Sequence, residues 1–110
     1  MLSKDLVAAS ARPMILSILS QGESYGYEII QQVRQLSDGQ IEWSDGMLYP
    51  VLRRLEKEGL IESEWRTADS GRKRRYYHLS NQGGKALEIE KKQWLIVNTT
   101  LETLWEASNV

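Results

Sequence analysis

This sequence predicts a mainly α fold carrying one small β-hairpin, an α+β arrangement ending in a long C-terminal helix, and three stretches predict it. Apolar residues at helical spacing follow Ser44, two strand-like runs flank a basic turn between residues 60 and 79, and a seven-residue apolar beat runs toward the C-terminus. A helix followed by a hairpin with a basic tip is the outline of a winged helix-turn-helix.

Taken in order, residues 5–20 carry Leu6, Val7, Met14, Ile15, Leu16, Ile18 and Leu19, apolar around much of the circumference. Such a helix is covered on more than one side. Pro13 either starts the ordered helix or bends it, and a bend is the preferred reading. Gln21-Gly22-Glu23 breaks the pattern, and Ser24 caps a second helix running to Leu36, with Tyr27, Ile30, Val33 and Leu36 on its buried side. Gly26 is read as permitting close approach between backbones. Residues 40–43 fit a short third strand. Tyr25 has two readings: a phenol near a helix N-terminus, where anions are favoured, or an aromatic packed between helices.

Ser44 is a good N-cap type, and Leu48, Val51, Leu52 and Leu55 follow on one helical face. At about 100° per residue, Gly46, Pro50, Arg53 and Lys57 fall on the opposite face, flanked by Tyr49 and Arg54. This outward face starts compact and ends cationic, which suits a recognition helix entering the major groove, although an ordinary solvated face explains the cations equally well. Pro50 removes the bond to the carbonyl of Gly46. Gly59 then ends the helix in a left-handed conformation.

From residue 60 to 66 apolar and polar residues roughly alternate, a loop containing Gly71 follows, and residues 74–79 give a second strand. The four consecutive cations Arg72, Lys73, Arg74 and Arg75 repel one another and suit phosphate contact. Strand alternation places Arg72 and Arg74 on one side and Lys73 and Arg75 on the other. Tyr76 and Tyr77 are expected to pack the hairpin onto the helices.

Ser80 caps a last helix over residues 81–107, whose first turn Gly83 and Gly84 weaken by roughly 1 kcal/mol each relative to Ala. Leu87, Trp94 and Leu101 recur at one heptad position and Val97 and Leu104 at the other, with Glu90 as the exception. This helix is about 40 Å long, too long for the preceding helices to cover. Each large apolar side chain is worth roughly 1.5 to 3 kcal/mol when buried, so a second subunit is the natural cover. Trp105 anchors the end of the helix. The division expected is residues 1–80 as a winged helix-turn-helix domain, its first helix contributing to the dimer, and 81–110 as a dimerisation helix.

The 110 residues are the size of one domain, and 41% apolar content suffices for one modest core. The absence of cysteine excludes disulfides and thiolate metal sites. With no secretory signal and no stretch of about 20 apolar residues, a cytoplasmic protein without a membrane partner is expected. The formal charge of −1 looks wrong for a DNA binder, but residues 66–75 carry a local net of +4, leaving −5 for the rest. Within a screening length of about 8 to 10 Å the local patch decides.

Residues 45–61, DGMLYPVLRRLEKEGLI, resemble the "GTLYPALxRLExxGLI" signature of the PadR family of bacterial transcriptional regulators. YGYEII at residues 25–30 looks like the family's "YGYEI" segment, and GRKRRYYHLS at residues 71–80 looks like its "GGRxRKYYxLT" wing. The three matches stand in the right order and cover roughly residues 13–87. Met47 replaces the usual Thr of the signature, and Ser70 precedes the wing glycine where a second glycine is common. The resemblance implies the small type with a single C-terminal dimerisation helix, a homodimer, and repression through double-stranded operator DNA. The DNA-facing set is then Tyr25, Ser44, Gly46, Met47, Tyr49, Pro50, Arg53, Arg54, Lys57, Arg72, Lys73 and Arg74, and the dimerising set Leu87, Trp94, Val97, Leu101, Leu104 and Trp105.

The resemblance also implies release by a small planar aromatic or phenolic ligand near the dimer axis. Trp94 stands at a position resembling the tryptophan that some members stack on drugs, with Leu6, Ala9, Val97 and Asn98 as neighbours; plain filling of the interface is the other reading of Trp94. Two further classes remain beside this one. A winged helix used for protein assembly would leave the basic tip incidental. An enzyme is the weakest, since His78, the only histidine, has no Cys and no Asp partner by spacing. No catalytic residue, metal ligand or cofactor is assigned.

Overall fold

A computed structural model describes residues 2–108. It runs α1 (Lys4–Ser20), β1 (Ser24–Tyr25), α2 (Gly26–Leu36), α3 (Asp45–Lys57), β2 (Ile61–Thr67), β3 (Lys73–Leu79) and α4 (Asn81–Ser108). This is a winged helix with a long C-terminal helix, as the sequence predicts. The antiparallel sheet has the order β1-β3-β2, and the hairpin pairs Ile61 with Leu79 through Thr67 with Lys73.

The third strand is not at residues 40–43. Ser24 and Tyr25 pair with Tyr77 and Tyr76 and so occupy the other edge of β3. In residues 40–43, Ile41 and Trp43 plug the core while Gln40 and Glu42 are exposed. Both edges of β3 are filled without them.

In α2 the buried side also differs from expectation. Ile29 and Val33 are buried, Ile30 packs against them, and Tyr27 and Leu36 are exposed. A strict three-residue spacing drifts by about 60° per step, so across nine residues Tyr27 and Leu36 stand about 180° apart and cannot share a face. Ser24 is not the cap either. Tyr25 holds that position with no side-chain cap bond, and Ser24 Oγ donates to Glu28 Oε1 at 2.6 Å.

The core joins α1, α2, α3 and the sheet, with Ile15, Leu16, Ile29, Leu48, Leu52, Leu55 and Ile61 fully enclosed. Pro13 lies inside an unbroken α1. Arg12, one residue earlier, pairs with Glu58 at 2.9 Å and Glu90 at 3.3 Å, tying α1 to the end of α3 and to α4. The bond to Glu58 is the main cause raising the Arg12 pKa. Glu90, the one polar residue on the heptad stripe, is therefore an internal ion-pair partner.

The start of α4 is anchored rather than weak. Ser80 Oγ donates to the Gly59 carbonyl at 2.6 Å and accepts from the Gly83 amide at 3.0 Å. A Cβ on Gly83 would lie 1.9 Å from the Leu60 carbonyl oxygen, so glycine is what lets α4 rest on that backbone. Leu87, one turn on, is 2% exposed and belongs to the chain's own core. Beyond it α4 leaves the domain, stretching the molecule to 60 × 30 × 21 Å. No described helix is long and apolar enough to cross a membrane.

Candidate nucleic-acid interface

Helix α3 is held by its inner face and bare on its outer one. Ser44 Oγ accepts from the Met47 amide at 3.2 Å, and Leu48, Leu52 and Leu55 lock the helix into the core. Gly46, Pro50, Arg53, Arg54 and Lys57 are exposed, as the helical projection predicts, and Tyr49 is 38% exposed. Met47 is less open than the rest of this helix face. It lies four residues before Val51, on the same stripe, and is half-buried against the core.

Tyr49 also reaches α2. A Cβ on Gly26 would meet the Tyr49 hydroxyl at 2.5 Å, so the missing side chain makes room for a phenol rather than for a second backbone. Tyr25 is half-buried, its ring edge-on to Tyr76 at 5.4 Å between centroids, with the Arg74 guanidinium 4.5 Å from its ring centroid. Tyr25 thus packs against β3 rather than between two helices, with a wing cation over its ring.

The basic hairpin divides into two groups. Arg66 is taken up by Glu23, at 2.7 Å, and by Glu64, and its guanidinium sits 4.7 Å from the Tyr76 ring centroid. The hydrogen bond to Glu23, then that to Glu64, pushes the Arg66 pKa further up, and the same contact holds the Glu23 carboxyl below its ordinary value. Arg75 donates from Nε to Ser63 Oγ at 2.8 Å and from Nη2 to Glu56 at 3.2 Å. Among the described residues, Arg72, Lys73 and Arg74 form no ion pair. Arg74 and Arg75 turn to opposite faces of β3, one toward Tyr25 and the other toward α3, as alternation requires.

The turn presenting these cations is closed by Ala68 N–H to the Arg72 carbonyl at 2.8 Å and Gly71 N–H to the Ala68 carbonyl at 2.8 Å. Gly71 has φ +86°, a left-handed conformation that suits glycine. Tyr77 is buried under the hairpin as expected, whereas Tyr76, on the opposite face of β3, is half-buried against Tyr25 and Arg66 within the sheet rather than on the helices. A cleft of about 770 Å³ opens between the wing and the starts of α2 and α3, lined by Tyr25, Tyr49, Trp65, Arg72 and Arg74 among others. Trp65 was not anticipated. It is 65% exposed, and pairing of β2 with β3, which sets it opposite Arg75, is the signal that could have placed it in this wall.

Helix α4 exposes a broad apolar surface. Val97, Leu101, Leu104 and Trp105 are exposed, Trp94 is half-buried, and Ile89, Leu95 and Ile96, off the expected beat, are exposed as well. Leu87 drops out of the dimerising set because its own domain covers it. Leu6, Ala9 and Asn98 are exposed on α1 and α4.

Residues 15–89 match the model of the transcriptional regulator PadR-like family. The chain is 36% identical over 89 residues to a transcriptional regulator of Mycobacterium tuberculosis, covering 81% of this chain and 79% of that one. It is 37% identical over 82 residues to the transcriptional regulator YqjI of Escherichia coli, covering 74% of this chain but only 38% of YqjI. Among solved structures, a PadR-like transcriptional regulator from Bacillus cereus superposes with a TM-score of 0.80 at 36% identity, covering 92% of this chain and 96% of that one.

Proposed function

We propose that this chain, which belongs to the PadR-like family of transcriptional regulators, binds operator DNA as a homodimer and represses transcription. The observation that carries the reading is the cleft in which Tyr49 of α3 meets Arg72, Lys73 and Arg74, three wing cations that form no ion pair among the described residues. Arg72, Lys73 and Arg74 grip phosphates, which fixes register but carries no sequence information. Tyr49, Arg53 and the compact Gly46–Pro50 surface meet base edges, with Arg54 and Lys57 on the flanking backbone. The exposed phenol and guanidinium supply the hydrogen bonds, and the small residues admit the groove wall.

Residues 1–80 act as the DNA-binding unit and 81–110 as the dimerising one. Seven exposed large apolar residues on α4, worth roughly 1.5 to 3 kcal/mol each when covered, support a second copy as the partner. Two facing Trp94 side chains, with Leu6, Ala9, Val97 and Asn98 around them, form a slot for a flat aromatic or phenolic effector, whose binding releases the operator. The protein works in the cytoplasm, where its DNA is.

Sedimentation velocity tests the assembly directly. Two chains travel together at micromolar concentration, and two chains travel with each duplex selected from a randomised library. A single chain that leaves the duplex sedimenting alone refutes the reading.

A further inference from the structure

The wing holds two kinds of cation, and Arg75 is of the second kind. Its guanidinium, although it lines the same cleft, is engaged by the protein's own side chains: Nε donates to Ser63 Oγ at 2.8 Å, Nη2 lies 3.2 Å from Glu56 Oε1, and Ser63 Oγ donates in turn to Glu56 Oε2 at 2.7 Å. Glu56 belongs to α3, Ser63 to β2 and Arg75 to β3, so one closed triangle joins the recognition helix to both strands of the wing. The Arg75 and Glu56 side chains are 40% and 32% exposed. The guanidinium also lies 5.8 Å from the ring centroid of buried Tyr77 and 5.9 Å from that of Trp65.

We infer that Arg75, through Glu56 and Ser63, is a positioning and specificity-determining residue: it sets the wing at a fixed distance and angle from α3 and makes no phosphate contact of its own. The inference rests on the DNA-binding reading. A dimer reads its site by placing two helices in the groove while two wings hold the backbone, so the helix-to-wing offset decides which duplexes satisfy both. A loose offset still permits phosphate contact on any duplex. It loses the preference for one.

Charge makes the alternative distinguishable. If Arg75 were a phosphate ligand that Glu56 restrains, removing the carboxylate would release it and tighten binding. If the triangle is a strut, Glu56→Gln loosens the offset and weakens selective binding although it removes a repelling negative charge. The two readings predict opposite signs.

The experiment compares the unaltered protein with Arg75→Ala, Glu56→Gln, the double variant and Arg72→Ala. Each is titrated by fluorescence anisotropy against a duplex selected by the unaltered protein from a randomised library and against a scrambled duplex, over a range of salt. The strut predicts that Arg75→Ala and Glu56→Gln each lower the ratio of selected to scrambled affinity on the order of tenfold, and that the double variant loses no more than either single one. On the scrambled duplex their log–log salt slopes match the unaltered protein, whereas Arg72→Ala flattens the slope by about 2 for the dimer. A slope loss in Arg75→Ala equal to that of Arg72→Ala, or tighter binding by Glu56→Gln, overturns the inference. Glu56→Gln preserves side-chain shape, so the sign test does not depend on Arg75→Ala folding well. Failure of the unaltered protein to bind either duplex overturns the DNA-binding reading and this inference with it, and that result cannot be confused with a slope loss.

Discussion

Gly83 and Gly84 are adjacent and have opposite meanings. By composition both weaken a helix, and residue type alone gives no way to separate them. The fold does: a Cβ at 83 strikes the Leu60 carbonyl at 1.9 Å, and one at 84 meets nothing within 4 Å. Gly83→Ala is therefore expected to cost about 1 to 3 kcal/mol through forced displacement of α4, while Gly84→Ala is expected to stabilise by about 0.5 to 1 kcal/mol. Urea unfolding of the two variants checks the pair, and equal effects would contradict the close approach. Arg75 teaches the same lesson: it reads as one more cation of the basic run, and it is engaged because of Ser63 and Glu56, partners on other elements that no local pattern announces.

At the level of elements, local periodicity carried most of the fold. The spacing of Leu48, Leu52 and Leu55, the cap at Ser44 and the stop at Gly59 located α3 because all three signals lie within one short stretch. The third strand failed because two residues, Ser24 and Tyr25, are recruited by the free edge of β3 and carry no strand pattern of their own. The face of α2 failed because a three-residue spacing winds around the helix. The wing's electrostatics were legible only as a sum: five cations are visible in the sequence, but their division needs Glu23 and Glu56, which come from the segment before α2 and from α3.

That division has a pH signature. Arg66 holds the Glu23 carboxyl below its ordinary value, so the pair's contribution to stability is present above the ordinary carboxylate range and lost as pH falls through the depressed folded value. Unfolding titrations from neutral to acidic pH should show the unaltered protein losing more stability than Glu23→Gln, with the two curves converging at the acid end. Parallel curves would contradict the assignment.

For the whole molecule, the separation of charge and grease explains the architecture. The wing and α3 present cations, α4 presents apolar side chains, and the net charge of −1 conceals both. The apolar face is broader than the heptad beat implied, because Ile89, Leu95 and Ile96 lie outside that register yet reach solvent in the single chain. If a planar effector enters between paired Trp94 side chains, a flat aromatic compound quenches tryptophan emission in the unaltered protein and the saturable part of that quenching disappears in Trp94→Ala. Superimposable curves would remove the slot.

The most direct test of the central claim is the salt dependence of duplex binding before and after the free wing cations are cut back. Three such cations on each of two wings contribute about −5 to the log–log slope of the dimer, in addition to the share of Arg54 and Lys57. The Arg72→Ala, Arg74→Ala double variant removes about four phosphate contacts per dimer and should flatten the slope by about 4, weakening selected and scrambled duplexes alike. An unchanged slope would show that the wing does not hold the DNA backbone.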